Sequence, residues 1–171
     1  MENLRDWQKA VHADDRKYIG ILKSPRQGGT HIALKQLFSY SIGLYVTQSV
    51  RQCRSAQEQF ESLVKEQGWN MVASEENKVK YLPGVMSQEV SFIPINRYET
   101  WMRGVNLTPR IEIFDEVAPG DLLFNSDADK VIYVYTIPPG LEEDFSLYCV
   151  NSETYSKFTH DNSTVFLERM R

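Results

Sequence analysis

Long apolar runs, paired cysteines and an excess of either charge are what this 171-residue chain has little of. No apolar stretch approaches the roughly 20 residues that a membrane-spanning helix needs. The start, Met1-Glu2-Asn3-Leu4-Arg5-Asp6, lacks the basic-then-apolar layout of a signal peptide. Two cysteines, Cys53 and Cys149, give neither a disulfide framework nor a zinc site, and both are expected to be reduced. The three histidines, His12, His31 and His160, are scattered, and no Ser/His/Asp or Cys/His nucleophile arrangement stands out. A net charge of −4 argues against the whole surface being a nucleic-acid footprint. A local basic face drawn from Arg51, Arg54, Lys78, Lys80, Arg97, Arg103 and Arg110 is compatible with it, as is an ordinary mixed-charge surface. Internal repeats, low-complexity segments and linkers are also lacking, so the chain reads as a single domain over 1–171.

Apolar runs of strand length alternate with segments of helical periodicity. Leu4 to Val11 reads as a short amphipathic helix, Tyr18 to Leu22 as a strand, and Ile32 to Phe38 as helical. Ile42 to Thr47 reads as a buried strand, and Val50 to Gln67 as a helix with Cys53, Ala56, Phe60, Leu63 and Val64 on one face, stopped by Gly68. Short β-like runs follow at 69–73, 79–82 and 90–95, then a short helix at 98–104, and strands at 111–114, 131–135 and 147–150. This alternation predicts an α/β fold of three layers, a mostly parallel central sheet with helices on both faces. Ligands of such sheets bind outside the carboxyl ends of the strands.

The first strand ends in Lys23-Ser24-Pro25-Arg26-Gln27-Gly28-Gly29-Thr30-His31, a polar glycine-bearing turn that leads into a helix. That is the layout of a phosphate-binding loop, whose backbone N–H groups and helix N-terminus face an anion. Against the pattern G-x-x-x-x-G-K-[ST], placing Gly29 on the second glycine puts Thr30 at the lysine and His31 at the hydroxyl. Sliding by one puts Thr30 at the hydroxyl and Gly29 at the lysine. In both registers the loop lysine is missing. Arg26 is then the nearest cation whose guanidinium fork suits phosphate oxygens, with Lys23, at the strand end, a weaker candidate.

Ile111-Glu112-Ile113-Phe114-Asp115-Glu116 is an apolar strand ending in two acids. In a nucleoside triphosphatase of this layout the first acid holds Mg²⁺ and the second orients or deprotonates the attacking water. Thr136 follows another apolar strand, where its hydroxyl could sense a terminal phosphate or simply satisfy a turn. Gln8 precedes the loop, and its amide could pair with an adenine edge or be an ordinary exposed glutamine.

Taken in order, these segments resemble one family. Leu4-Arg5-Asp6-Trp7-Gln8, Pro25 to Thr30, the strand and helix around Tyr45 to Ala56, Trp101-Met102-Arg103-Gly104-Val105-Asn106, Ile111 to Glu116, and Tyr135-Thr136-Ile137-Pro138-Pro139-Gly140 follow the order seen in the ATPase domain of tailed-phage terminase large subunits, a group similar to helicase-like P-loop ATPases. The resemblance runs from about residue 4 to 145. It implies ATP and Mg²⁺ as ligands, with Gln8 at the adenine and Ser24, Arg26, Gln27, Gly28, Gly29, Thr30 and His31 around the phosphates. It also implies Asp115 and Thr30 at the metal, Glu116 as catalytic carboxylate, Arg26 as the phosphate cation and Thr136 as coupling residue. The implied partners are double-stranded DNA, a portal and other terminase subunits, with a homo-oligomeric ring on assembly, in the host cytoplasm and without a membrane. The family's C-terminal nuclease domain has no counterpart in the residues after the coupling motif.

Three readings follow. The first is a motor ATPase domain that couples ATP hydrolysis to translocation of double-stranded DNA. The second is a catalytically decayed domain serving as a structural or regulatory partner in viral assembly, favoured by the missing loop lysine. The third is a fragment of a helicase-like translocase, for which residues tracking single-stranded nucleic acid would be the signature.

Overall fold

The computed structural model describes residues 4–24, 26–117, 126–135, 144–151 and 154–159. In chain order its elements are α1 (Asp6–Ala13), β1 (Tyr18–Lys23), α2 (Gly29–Gln36), β2 (Ile42–Thr47), α3 (Val50–Glu66), β3 (Asn70–Glu75), β4 (Lys78–Leu82), β5 (Gln88–Pro94), α4 (Tyr98–Gly104), β6 (Ile111–Asp115), β7 (Lys130–Val134), β8 (Phe145–Val150) and β9 (Tyr155–Thr159). Single 3₁₀ turns at Leu37–Ser39 and Ile95–Arg97 close α2 and lead into α4.

The described strands form one sheet in the order β3-β4-β5-β2-β6-β7-β1-β8-β9. Every pairing from β5 to β8 is parallel. The hairpin β3-β4 and the last strand β9 are added antiparallel at the two ends. The mostly parallel α/β sheet predicted from the alternation is therefore what the chain forms.

Strand alternation divides the core into two. Ile19, Ile21, Tyr45, Val90, Phe92, Ile111 and Ile113 pack on one face with α1, α2 and α3. Tyr18, Leu44, Val46, Phe114, Val131, Tyr133 and Leu147 pack on the other with α4. The predicted face of α3 is the buried one: Cys53, Ala56, Phe60, Leu63 and Val64 all point inward. Ser49 caps this helix, its hydroxyl accepting from the Gln52 N–H. Gly68, at φ 73°, supplies the left-handed turn after it.

Some boundaries differ from the periodicity. β1 runs one residue further than the apolar pattern, to Lys23, because the parallel ladder with β8 continues through the pair Lys23–Val150. β9 carries no apolar alternation at all. Its residues are exposed or half-buried, as suits an edge strand held mainly by backbone pairing to β8.

Candidate functional site

The carboxyl ends of β1, β2, β6 and β7 meet at one edge of the sheet. Lys23 ends β1, Thr47 ends β2, Asp115 ends β6 and Tyr135 follows β7. The ladder continues just past these ends. The Glu116 N–H donates to the Val134 carbonyl at 3.1 Å, and the Tyr135 N–H to the Ile21 carbonyl at 2.7 Å. Glu116 (φ 58°) and Tyr135 (φ 67°) are both left-handed, a conformation that non-glycine residues adopt at a cost and that clusters at functional sites.

The glycine turn joins β1 to α2. Gly28 is the N-cap of α2 at φ 81°, so Gly29 and Thr30 are the first helical residues and their N–H groups have no intrahelical acceptor. In the register that sets Thr30 at the hydroxyl position, Gly29 falls at the lysine position and Lys23 at that of the first glycine. Lysine and glycine have in effect changed places. Because Lys23 continues the alternation of Ile19 and Ile21, its side chain emerges on the face that carries α2. It crosses directly over Gly29. A Cβ built on Gly29 would lie 1.9 Å from Lys23 Cε and 2.7 Å from Cδ, so no other residue fits beneath the lysine as placed. The Lys23 ammonium donates to the Tyr135 hydroxyl at 2.5 Å and sits 4.2 Å from the centre of that ring. Burial lowers its pKa below the usual lysine range, against the opposing fields of Asp115 and Glu116.

Gln8 holds the loop from behind. Its Nε2 donates to the Gly28 carbonyl at 3.1 Å, and its Oε1 accepts from the Arg5 N–H at 2.9 Å. Both ends of the amide are thus engaged within the protein, and the residue is buried rather than exposed. Arg5 also donates to Gln27 Oε1. Arg26 is exposed and left-handed at φ 64°, with its side chain in solvent. Ser24 is exposed as well. His31 lies in the first turn of α2, and burial, reinforced by Lys35, lowers its pKa below the ordinary histidine value. Thr136 lies outside the described residues.

Asp115 faces Thr30 across the sheet edge. Its Oδ2 accepts from the Thr30 hydroxyl at 3.0 Å and from the Tyr45 hydroxyl at 2.5 Å. Its Oδ1 is buried without a partner. Burial raises the Asp115 pKa, opposed by those two hydroxyl donors and by the Lys23 charge, while the neighbouring Glu116 raises it further. A buried carboxylate with one saturated oxygen and one free oxygen, beside a threonine hydroxyl, is a donor set that fits a hard cation taking oxygen ligands. Among the described residues no three His, Cys, Asp or Glu side chains gather as a metal cage. A magnesium ion that keeps its waters and borrows ligand phosphates needs none.

Glu116 is exposed at the mouth of the cleft. Its carbonyl accepts from Gln48 Nε2 at 2.6 Å and its carboxylate from Gln52 Nε2 at 3.4 Å. The cleft, about 150 Å³, is lined by Thr30, Thr47, Gln52, Ala56, Asp115 and Glu116. The structure thus brings Thr30, Asp115 and Glu116 together with Lys23, while Arg26 is exposed beside the loop. Tyr45, Tyr135, Gln48 and Gln52 were not singled out by the sequence. The basic candidates are in part spent on acids: Arg54 pairs with Glu76, Arg103 with Glu99 and Arg110 with Asp129.

No family model matches the sequence. No curated protein matches it either. Solved structures do. The large terminase ATPase domain of Thermus phage P74-26 superposes with a TM-score of 0.58 at 16% identity, covering 80% of this chain and 66% of that one. The fold is that of phage large-terminase ATPase domains. The large terminase of the thermophilic bacteriophage D6E, solved in complex with ADP, matches with a TM-score of 0.57 at 13% identity, covering 77% of this chain and 38% of that one. The chain thus spans slightly under two thirds of the first of these structures and well under half of the second.

Proposed function

We propose that this chain is a terminase-like motor ATPase domain that binds ATP with Mg²⁺ and couples its hydrolysis to movement of double-stranded DNA. The observation that carries the reading is the course of Lys23 over Gly29. It supplies a phosphate loop with the cation that its usual position lacks. That weakens the case for a decayed scaffold, which rested on the missing lysine.

In this reading the free N–H groups of Gly29 and Thr30 and the Lys23 ammonium face the terminal phosphates, where a point charge and a helix N-terminus act together. Thr30 Oγ1 and Asp115 Oδ1 would hold Mg²⁺, which supplies neutralisation of charge developing on the phosphoryl oxygens. Glu116, freely accessible in the cleft, orients the attacking water and takes its proton at a carboxylate oxygen. Gln52 and Gln48 hold the side chain and carbonyl of Glu116. Gln8 serves the loop itself, by fixing the Gly28 carbonyl. Arg26, exposed beside the loop, is available to a phosphate or to a neighbouring subunit, and Thr136 remains the coupling residue that the resemblance implies.

The fold match to terminase ATPase domains, one of them in a terminase solved with ADP, supports nucleotide as the ligand. DNA, a portal, other terminase subunits and a homo-oligomeric ring are the partners proposed on the same ground. No helix among the described residues is long and apolar enough to cross a membrane, which fits action in the host cytoplasm.

The test is nucleotide binding and turnover by the chain, alone and with double-stranded or single-stranded DNA, beside Lys23→Met, Glu116→Gln and Arg26→Ala. Mg²⁺-dependent turnover lost in Lys23→Met and Glu116→Gln supports the reading. Stimulation by single-stranded DNA alone would favour the helicase-like reading, and absence of nucleotide binding at millimolar ATP would leave the structural one.

A further inference from the structure

Tyr135 occupies a costly backbone position for its residue type. At φ 67° glycine would be cheaper, and the conformation is pinned by the Tyr135 N–H bond to the Ile21 carbonyl. The side chain so placed is half-buried and meets Lys23 in two ways. The phenol oxygen accepts from Nζ at 2.5 Å, and the ammonium lies 4.2 Å from the ring centre, at the hydroxyl end of the ring. Lysine is a flexible point charge with side-chain entropy to lose. Its own backbone site, the last residue of β1, sets the face from which the side chain leaves but not where the ammonium ends up. Tyr135 does. Nζ has three protons, one taken by the phenol and a second near the Ser24 carbonyl at 3.5 Å, so donors remain for a third group.

We propose that Tyr135 is the positioning residue of the phosphate loop: it holds the Lys23 ammonium over Gly29, ready for a polyphosphate, and keeps its hydrogen bond when the phosphates arrive. The inference rests on the nucleotide reading above and adds the residue that makes a lysine donated from the strand end workable. It also ties the loop to β7, since anything that shifts Tyr135 shifts Lys23. The ligand feature selected is a β-phosphate or beyond, which ADP and ATP carry and AMP does not.

Two measurements on the full chain test it. The first needs no nucleotide. In ¹H–¹³C spectra with labelled lysine, the Lys23 Cε protons should carry a ring-current shift from Tyr135 in the wild type and in Tyr135→Phe, and should lose that shift in Tyr135→Leu. A Lys23 signal without a ring shift in the wild type overturns the proposal. The second is binding of fluorescent ATP, ADP and AMP analogues. Tyr135→Phe should weaken ATP and ADP about 3- to 10-fold, as expected for losing the preorganisation of one long side chain, and leave AMP unchanged. In a Lys23→Met background the same substitution should have no further effect. Equal affinities in wild type and Tyr135→Phe, or an additive loss in the double variant, overturn the inference while leaving the nucleotide reading intact. A wild type that binds no nucleotide overturns both, even with the ring shift present.

Discussion

Tyr45 and Asp115 share a 2.5 Å hydrogen bond between neighbouring strands of the sheet. Tyr45 of β2 pairs in register with Ile113 of β6, and Asp115 lies two residues further along the same face, within reach of a phenol. The tyrosine hydroxyl is fully buried and its pKa is raised well above the usual value, first by burial and then by Asp115, so it remains a donor. With Thr30 it saturates Oδ2 and leaves Oδ1 alone. Removing that donor in Tyr45→Phe should cost about 1–3 kcal/mol, the range for stripping a hydrogen bond from a buried charged group. Urea unfolding should show a lower midpoint at an unchanged slope. Asp115→Asn removes the buried charge while both hydroxyls keep an oxygen to donate to. That variant should be as stable as the wild type or more so, because burial of the charge, which raises its pKa despite the two donors and Lys23, opposes folding, yet should lose all metal-dependent turnover. A destabilised Asp115→Asn would count against a free, cation-seeking Oδ1.

Gly29 and Lys23 form a second coupled pair. Gly29→Ala adds one methyl group at the start of α2, where alanine is the better helix former by up to about 1 kcal/mol. Lys23 Cε occupies the space of that methyl, and a long flexible side chain gives way more readily than backbone. Thermal melting should therefore change little, within about 1 kcal/mol of folding free energy, while nucleotide affinity falls about tenfold. The losses in Gly29→Ala and Lys23→Met should not add, since each removes the same ammonium from the loop. Additive losses would place the two residues in separate roles.

How much of this could be read from the chain depended on whether the signal was local. The Asp115-Glu116 pair stands out because an apolar run stops abruptly in two acids, and α3 because five of its apolar residues share one face. Lys23 reads differently by two local patterns. By its place in a loop pattern it is displaced, whereas by strand alternation after Ile19 and Ile21 it falls on the α2 face beside the loop. Tyr45 and Tyr135 look like ordinary strand aromatics, since only the order β2-β6-β7-β1 brings their hydroxyls to Asp115 and Lys23. For Gln8 the sequence leaves an adenine partner and an exposed glutamine open, because one helix turn does not reveal that the glycine loop lies over it. β9 was invisible because an edge strand paired through its backbone needs no apolar pattern.

Phe60 tests the packing of the predicted α3 face. It is fully buried and lies among Phe38 at 5.3 Å, Tyr81 at 5.5 Å and Phe92 at 5.8 Å between ring centres. It joins α3 to β4, β5 and the turn after α2. Phe60→Ala should destabilise the domain by about 3–5 kcal/mol through lost transfer energy and the cavity left behind. Phe60→Leu should recover most of that loss. Chemical denaturation of the three proteins checks it, and an alanine variant within about 1 kcal/mol of the wild type would mean that this cluster is not packed at native density.

Asp14 gives the acid limit of stability. It sits in the turn before β1, with its side chain buried, where Tyr148 donates to it at 2.6 Å, Lys157 of β9 at 2.8 Å and the Arg16 N–H at 3.1 Å. Burial by itself would raise its pKa, but these donors outweigh burial and hold it at about 2, against 3.8 for the free side chain. The unfolded chain therefore binds more protons than the folded one between those two values, and stability must fall as pH drops through that window. The contribution is on the order of 2 kcal/mol, present in full above about pH 4 and gone below about pH 2. Urea midpoints measured from pH 6 down to pH 2 should fall more steeply for the wild type than for Asp14→Asn. Lys157→Met should shrink the difference and loosen β9, seen as faster amide exchange at Tyr155 to Thr159. Parallel pH profiles for wild type and Asp14→Asn would show that this carboxylate is not what ties the edge strand to the turn before β1.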